Sequence, residues 1–316
     1  MQTTTPTYRK VLVATDFSTH ADAALTQAIW LAKSGGAEVT LAHVLPSPRR
    51  FDQYEFSSLG LEIEPPANEG KHFEEEKYRT ETRLRETLIA FGAQNLGIAI
   101  DVYVGDPFIE IIKAVRKHGF EMVITGSRGL AAWEQFIVGS TAHRLIRKCP
   151  SSVMVVNAED IAHPKTVLAA TDFSDLSRRA ILEGRRLANL AGGELHVVHV
   201  IDTLDVPEHV VASTPAGMSV RDRINEQAKQ RMDEFLASMD IQPATVHRYL
   251  SWGTPWKEIV LLSKHLHARL IALGTVGRSG VRGMLLGNTA ERVLNTCQCS
   301  VLTVKAPEFV SPILDT

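Results

Sequence analysis

The chain has 316 residues, enough for two domains of about 150 residues that each bury a core. Apolar residues make up 44% and charged residues 22%, an ordinary globular balance, and a formal net charge of −2 offers no general attraction for nucleic acid or an acidic membrane surface. No run of about 18 apolar residues is present, the stretch from Met1 to Lys10 holds no apolar signal region, and three cysteines suit a reducing cytosol, so the expected location is cytoplasmic.

In chain order, Lys10 to Thr15 is too uniformly apolar for a half-exposed strand and reads as a buried one. Asp16-Phe17-Ser18 ends it, with Ser18 placed to cap a helix bearing Ala23, Ala24, Ala28, Ile29, Leu31 and Ala32, which stops at Gly35-Gly36. Val39 to Leu45 is the second strand. A polar segment with Pro46, Pro48, Pro65 and Pro66 follows, the least structured part on these signals. From about Glu69 to Asn95 the spacing of Leu84, Leu88 and Phe91 predicts a long helix with one buried side, and Glu74 to Lys77 lies on its solvated face. Ile98 to Val104 is a third strand. Gly105-Asp106-Pro107 starts a helix carrying Ile109, Ile111, Ile112 and Val115, Glu121 to Thr125 is a fourth strand, and Ser152 to Val156 a fifth.

The order then begins again. Val167 to Ser174 repeats Val11 to Ser18 almost letter for letter, Glu194 to Val200 matches the second strand including the pair His43-Val44 and His199-Val200, and Gly253-Thr254-Pro255 matches Gly105-Asp106-Pro107. Leu270 to Gly274 matches the fourth strand and Ser300 to Val304 the fifth. The offset is 156 at the first strand (167 against 11) and 148 from the third strand onward (253 against 105), so the first copy carries eight more residues (156 minus 148), in or beside the proline-containing segment. A repeat this long is a duplicated domain, not a solenoid unit of about 20–50 residues. The expected division is a first domain over 1–157, a linker over 158–165, a second domain over 166–306 and a tail over 307–316.

Between the fourth strand and the last helix, Gly126 closes the strand, Gly129 follows three positions later, and Gly139-Ser140-Thr141 opens a helical pattern. Glycines let backbone approach a ligand, and a helix start presents unpaired N–H groups with about half a positive charge, which suits a phosphate. A plain turn and cap would use the same residue types. Gly274, Gly277 and Gly287 repeat the spacing in the second copy, which a turn alone does not require. Alternating strands and helices imply a parallel sheet with helices on both faces, and ligands bind such sheets beyond the strands' carboxyl ends where strand order reverses. If that point lies between strands one and four, Asp16 faces the Gly126 loop across one crevice and Asp172 faces the Gly274 loop across another. Phosphates would repel an aspartate, so Asp16 is read as an acceptor for base or sugar donors, or else as a turn or cap residue.

The residues Val-Leu-Val-Ala-Thr-Asp-Phe-Ser with their repeat, the His-Val pairs, and Gly-x2-Gly-x9-Gly-Ser/Thr resemble a tandem universal stress protein over nearly the whole chain. The complete set Gly126, Gly129, Gly139 and Ser140 is that of the ATP-binding branch. The resemblance implies an α/β fold of two tandem Rossmann-like (HUP-type) domains, each with a five-stranded parallel sheet in the order 3-2-1-4-5. It implies ATP with a divalent metal such as Mg through the phosphates, Asp16 near the nucleoside, backbone at Val44 near adenine, and the loop glycines with Arg128, Ser140 and Thr141 at the phosphates. In the second copy Asp172, Val200, Gly274, Gly277 and Gly287 transfer directly. Asn288 stands where a Ser or Thr is expected, Thr289 follows one position late, and Arg128 is matched by Val276, so a different ligand stays open there. This half resembles the E-type tandem members.

His43 and His199 end apolar strands and are read as satisfied structural histidines. Cys297-x-Cys299 is too short for a zinc site, and Cys149 and Cys297 match as packing residues. No Gly-x4-Gly-Lys-Ser/Thr loop or nucleophile with its base is present. The fifth strands, too apolar for free edges, are expected to pair around a pseudo-twofold axis within the chain, with a homodimer also open to it. The resulting expectation is a cytoplasmic ATP-binding stress-response regulator or scaffold with at most slow hydrolysis. The competing readings are an ATP hydrolase or transferase assisted by Glu134 or Arg128, and a nucleotide-independent interaction module.

Overall fold

Strand and helix signals in each copy are local and strong, and each copy folds into the same unit. The structure, a computed structural model, describes residues 8–46, 69–127, 139–158, 163–205, 215–242, 245–275 and 286–313. The first copy runs β1 (Lys10–Ala14), α1 (Thr19–Gly35), β2 (Glu38–Leu45), α2 (Glu69–Ala90), β3 (Ala99–Val104), α3 (Pro107–His118), β4 (Met122–Gly126), α4 (Ser140–Lys148) and β5 (Ser152–Val156). The second runs β6 (Thr166–Thr171), α5 (Asp175–Leu190), β7 (Glu194–Asp202), α6 (Pro215–Ala237), β8 (His247–Gly253), α7 (Pro255–His265), β9 (Leu270–Gly274), α8 (Asn288–Thr296) and β10 (Ser300–Val304). The helix expected to reach Asn95 stops at Ala90. Gly92 takes a left-handed φ of 62°, and Ala93 N–H turns back to Leu88 O at 2.8 Å, which closes the helix with an end that favours glycine.

All strands among the described residues lie in one ten-stranded sheet, β3-β2-β1-β4-β5-β10-β9-β6-β7-β8. Pairing is parallel within each copy. At the seam β10 meets β5 antiparallel, with Leu302 opposite Met154 and Val301 opposite Val155. The apolar fifth strands thereby stop being edges. One apolar layer joins α1, α2, α5 and α6 to the sheet, the other joins α3, α4, α7 and α8, and both run unbroken across the seam. Side-chain alternation explains the split: Met154 and Val156 serve the first layer, Val153 and Val155 the second.

The seam also holds a polar group that pairs the copies asymmetrically. Glu183, on α5, is buried and accepts from Tyr8 Oη at 3.1 Å and from Ser152 Oγ at 2.9 Å. Burial pushes its carboxyl pKa up, partly offset by those two hydrogen bonds. Gln27, also buried, stands at the matching place in the first copy. Beside Glu183 opens a cleft of about 520 Å³ with Arg116, Arg186 and Lys305 in its wall. Burial lowers the Lys305 pKa to about 8, and its Nζ donates to Arg147 O at 3.0 Å.

Candidate functional site

β1 stands between β2 and β4, so strand order reverses at its carboxyl end, the place where open α/β sheets form their ligand crevices. Ala14 pairs in register with Thr125, which places Asp16 and Gly126 just beyond adjacent strand ends. The turn off β1 is built by its own side chains. Thr15 Oγ1 accepts from Phe17 N–H at 3.0 Å, Asp16 Oδ1 from Ser18 N–H at 3.1 Å, and Ser18 Oγ caps α1 by accepting from Ala21 N–H at 3.2 Å. Asp16 Oδ1 therefore serves the turn, as the plainer reading of the sequence has it. Phe17 sits at φ 63°, a left-handed conformation uncommon for a bulky residue. Its ring lies 4.8 Å from that of His43, and the Arg83 guanidinium from α2 stands 3.8 Å over it. His43 Nδ1 bonds Thr15 O at 2.7 Å, and burial pushes its pKa down, so this histidine is structural and neutral.

The second copy repeats the corner. Thr171 Oγ1 accepts from Phe173 N–H at 2.9 Å, Asp172 Oδ1 from Ser174 N–H at 3.1 Å, and Ser174 Oγ caps α5. Phe173 again has φ 63°, His199 bonds Thr171 O at 2.8 Å, and Arg231 from α6 stands over the Phe173 ring. Arg83 and Arg231 are cations at the two crevices that reading the sequence missed. Their signal was available: they are 148 positions apart, the same offset as the later elements.

Val44 overhangs the end of β1. Ala42 O accepts from Thr15 N–H at 2.9 Å on the β1 side, whereas Leu45 O accepts from Gly105 N–H at 2.9 Å on the β3 side. By alternation, the backbone groups of Val44 point as those of Ala42 do, past the end of β1 and toward the crevice. Val200 occupies the corresponding place on β7, paired in register with Ser251 of β8.

The loop after β4 is pinched at its base: Gly139 N–H donates to Ser127 O at 2.7 Å, and Gly287 N–H to Thr275 O at 2.6 Å in the other copy. Arg128, Gly129 and Glu134, with Val276 and Gly277, lie outside the described residues. Gly139 is the N-cap of α4, and His143 N–H takes its carbonyl at 3.0 Å. The N–H groups of Ser140, Thr141 and Ala142 form the open first turn, and no described side chain caps them. Ser140 is exposed and Thr141 half-buried. At the start of α8, capped by Gly287, Asn288 Oδ1 instead accepts from Arg292 Nε at 2.8 Å, so this side chain is turned along its own helix, and Thr289 is half-buried.

Gly126 has a reason unconnected with any ligand. A Cβ on it would lie 2.6 Å from the backbone carbonyl of His20, because the first turn of α1 passes directly over the end of β4. At Gly274 the obstacle is the Leu176 side chain, at 2.8 Å.

Comparison with known proteins agrees with this architecture. A family model described as the universal stress protein family matches residues 7–157 and again 163–305. A protein of Haemophilus influenzae named universal stress protein E homolog is 28% identical over 209 residues, 62% of this chain and 65% of its own length. Universal stress protein E of Escherichia coli K12 is 27% identical, covering 69% of this chain and 72% of its own. A universal stress protein from Mycolicibacterium smegmatis is 26% identical over 93% of this chain and 96% of that protein. The crystal structure of a universal stress protein from Archaeoglobus fulgidus superposes with a TM-score of 0.62 at 22% identity, covering 94% of this chain and 98% of that one, a likeness of fold.

Proposed function

The chain belongs to the universal stress protein family, and on that premise we propose that it is a cytoplasmic ATP-binding stress-response regulator or scaffold with at most slow hydrolysis. ATP binds in the first copy. The first-turn N–H groups of α4 with the Ser140 and Thr141 hydroxyls hold the phosphates, the Val44 backbone meets adenine, and Asp16 lies by the nucleoside. A divalent ion such as Mg would be held through the phosphates and would offset their charge. The observation that carries the reading is the juxtaposition at one switch point of two main-chain surfaces that no described residue fills, the start of α4 and the overhanging edge at Val44. The residues present fit the ligand: donors stand where charge is negative, and mixed polar backbone stands where a base needs both donor and acceptor. In the second copy the start of α8 lacks the hydroxyl at position 288, and that copy is a weaker ATP site. No helix among the described residues is long and apolar enough to cross a membrane.

The test is to identify nucleotide released from freshly purified full chain by mass spectrometry and to titrate the emptied protein with ATP and Mg. One ATP per chain is expected. Thr141→Glu sets a carboxylate against the phosphates and weakens binding at least tenfold, about 1.4 kcal/mol, whereas Thr289→Glu leaves it unchanged. ATP that binds equally well to Thr141→Glu, or does not bind the parent, overturns the assignment. Turnover near the ordinary enzyme value of about 10 s⁻¹ would replace the regulator by a hydrolase.

A further inference from the structure

A second group of side chains converges far from the crevice, at the opposite end of the strands. Glu194 opens β7 and His196 follows two positions on, so both point to one face of the sheet. His196 pairs in register with His247, the first residue of β8, and Tyr249 lies two positions further on that strand. Four polar side chains thus meet on one face: Glu194 Oε2 is 3.3 Å from His247 Nε2 and 3.8 Å from His196 Nε2, and the imidazoles stack at 4.5 Å between centroids, 16° from parallel. His196 Nδ1 bonds Tyr249 Oη at 3.1 Å. With the proton on Nδ1, that bond turns the Nε2 lone pair of His196 toward Glu194, the orientation a metal-binding histidine receives from an outer partner.

We propose that Glu194, His196 and His247 form a binding site for a divalent transition-metal ion of borderline softness, with Zn²⁺ the reference ion and Tyr249 the residue that positions His196. Two imidazole nitrogens and one carboxylate are a donor set suited to such an ion, and a fourth position is left for water. The candidate ligand atoms all lie within 4.8 Å of one another. An ion lies in the plane of each imidazole that binds it, so closing to the roughly 3.4 Å between neighbours around a tetrahedral ion needs rotations that splay the two stacked rings. Glu194 and His247 are free to make them, with side chains 69% and 55% exposed, while His196 at 8% is the fixed member. The site is separate from the nucleotide crevice: Val200 is six positions along β7 from Glu194, roughly 20 Å.

The first copy supplies a control within the chain. At the matching positions it has Glu38, Thr40, Ala99 and Asp101, with Thr40 opposite Ala99 in the same register. The carboxylate is retained and both imidazoles are absent, so the cluster is a feature of the second copy alone. His196→Thr with His247→Ala restores residues that this fold already accommodates at those places.

The experiment uses full-length chain purified without a histidine tag and stripped by a chelator. Zn²⁺ is titrated calorimetrically, and Co²⁺ is followed by the visible absorption of a four-coordinate site that Zn²⁺ then displaces. The expected result is one ion per chain. Binding is weakened at least a hundredfold in the double variant and about tenfold in Tyr249→Phe, with ATP binding intact in both. Zn²⁺ should raise the melting temperature of the parent and not of the double variant. His247→Ala alone, at an exposed position, gives the same loss if the double variant folds poorly. Zn²⁺ binding that persists in His247→Ala and the double variant, or a parent that takes up no ion at micromolar Zn²⁺, overturns the proposal.

Discussion

The two copies carry nearly the same corner and differ at the groups we propose to face a ligand, and the division separates framework from proposed chemistry. Thr15-Asp16-Phe17-Ser18 and Thr171-Asp172-Phe173-Ser174 make the same turn bonds within about 0.1 Å, with the same φ of 63° at the phenylalanine. Both pack that phenylalanine against a histidine tilted 38° from it and place an arginine over it. A left-handed bulky residue persists only where its surroundings over-determine it, so this corner is framework. The starts of α4 and α8 share a glycine cap and differ in the next residue, Ser140 against Asn288. The outer strands differ as much, with two imidazoles on β7 and β8 where β2 and β3 have Thr40 and Ala99. Duplication kept what holds the backbone and changed the groups we propose to meet a ligand.

The sharpest break in the symmetry should come from the strand-four glycines. Gly126→Ala forces a methyl against the His20 backbone, which cannot move without shifting α1, and should cost about 3 kcal/mol or more. Gly274→Ala meets only the Leu176 side chain, which can change rotamer, and should cost about 1 kcal/mol. Chemical denaturation of the two variants checks the order; equal losses would mean the two helix starts are equally rigid.

Next in size is the asymmetry at the seam. Glu183→Ala leaves the Tyr8 and Ser152 hydroxyls without their buried acceptor and should cost about 1–3 kcal/mol. Glu183→Gln copies the neutral group that Gln27 provides in the first copy. Because burial raises the carboxyl pKa of Glu183 above its ordinary value of 4.5, the folded chain holds this proton more tightly than the unfolded one. Its contribution is therefore fully present below that ordinary value and is lost as pH rises through the raised one. Thermal melts from pH 4.5 to 7.5 should show Glu183→Gln gaining on the parent as pH rises, and a parallel pair of curves would contradict the burial of this charge.

The smallest expected effect lies at the second crevice. Asn288→Ser restores a hydroxyl and frees the helix start from the Arg292 bond, and should strengthen ATP binding by the second copy by no more than about tenfold, 1.4 kcal/mol. Titration in the Thr141→Glu background isolates that site. An unchanged second site would place the deficit in residues beyond position 288.

Much of the crevice was legible because its parts are encoded within a few residues. Ser18 announced the α1 cap, Pro107 the start of α3, and the apolar fifth strands the need to be covered; these follow from local hydrogen bonding and from strand faces too apolar for water. Arg83 escaped because a cation on a charged helix says nothing about the direction it faces until α2 is packed. His196 and His247 escaped because they are 51 positions apart (247 minus 196) and become neighbours only through β7–β8 register. Gly126 reads in the sequence as a glycine of a ligand loop, and the constraint found on it is the approach of α1, which no local pattern contains.

By itself the sequence determined the duplication, the kind and order of the elements, and the turn chemistry at each strand end, since these depend on periodicity and on hydrogen bonds between residues a few positions apart. Tertiary structure alone decided which way Arg83 faces, which carboxylate the seam buries, and where two distant histidines meet. Those outcomes depend on strand register and on which side chains reach one another across a sheet or a seam, and distance along the chain carries no record of either.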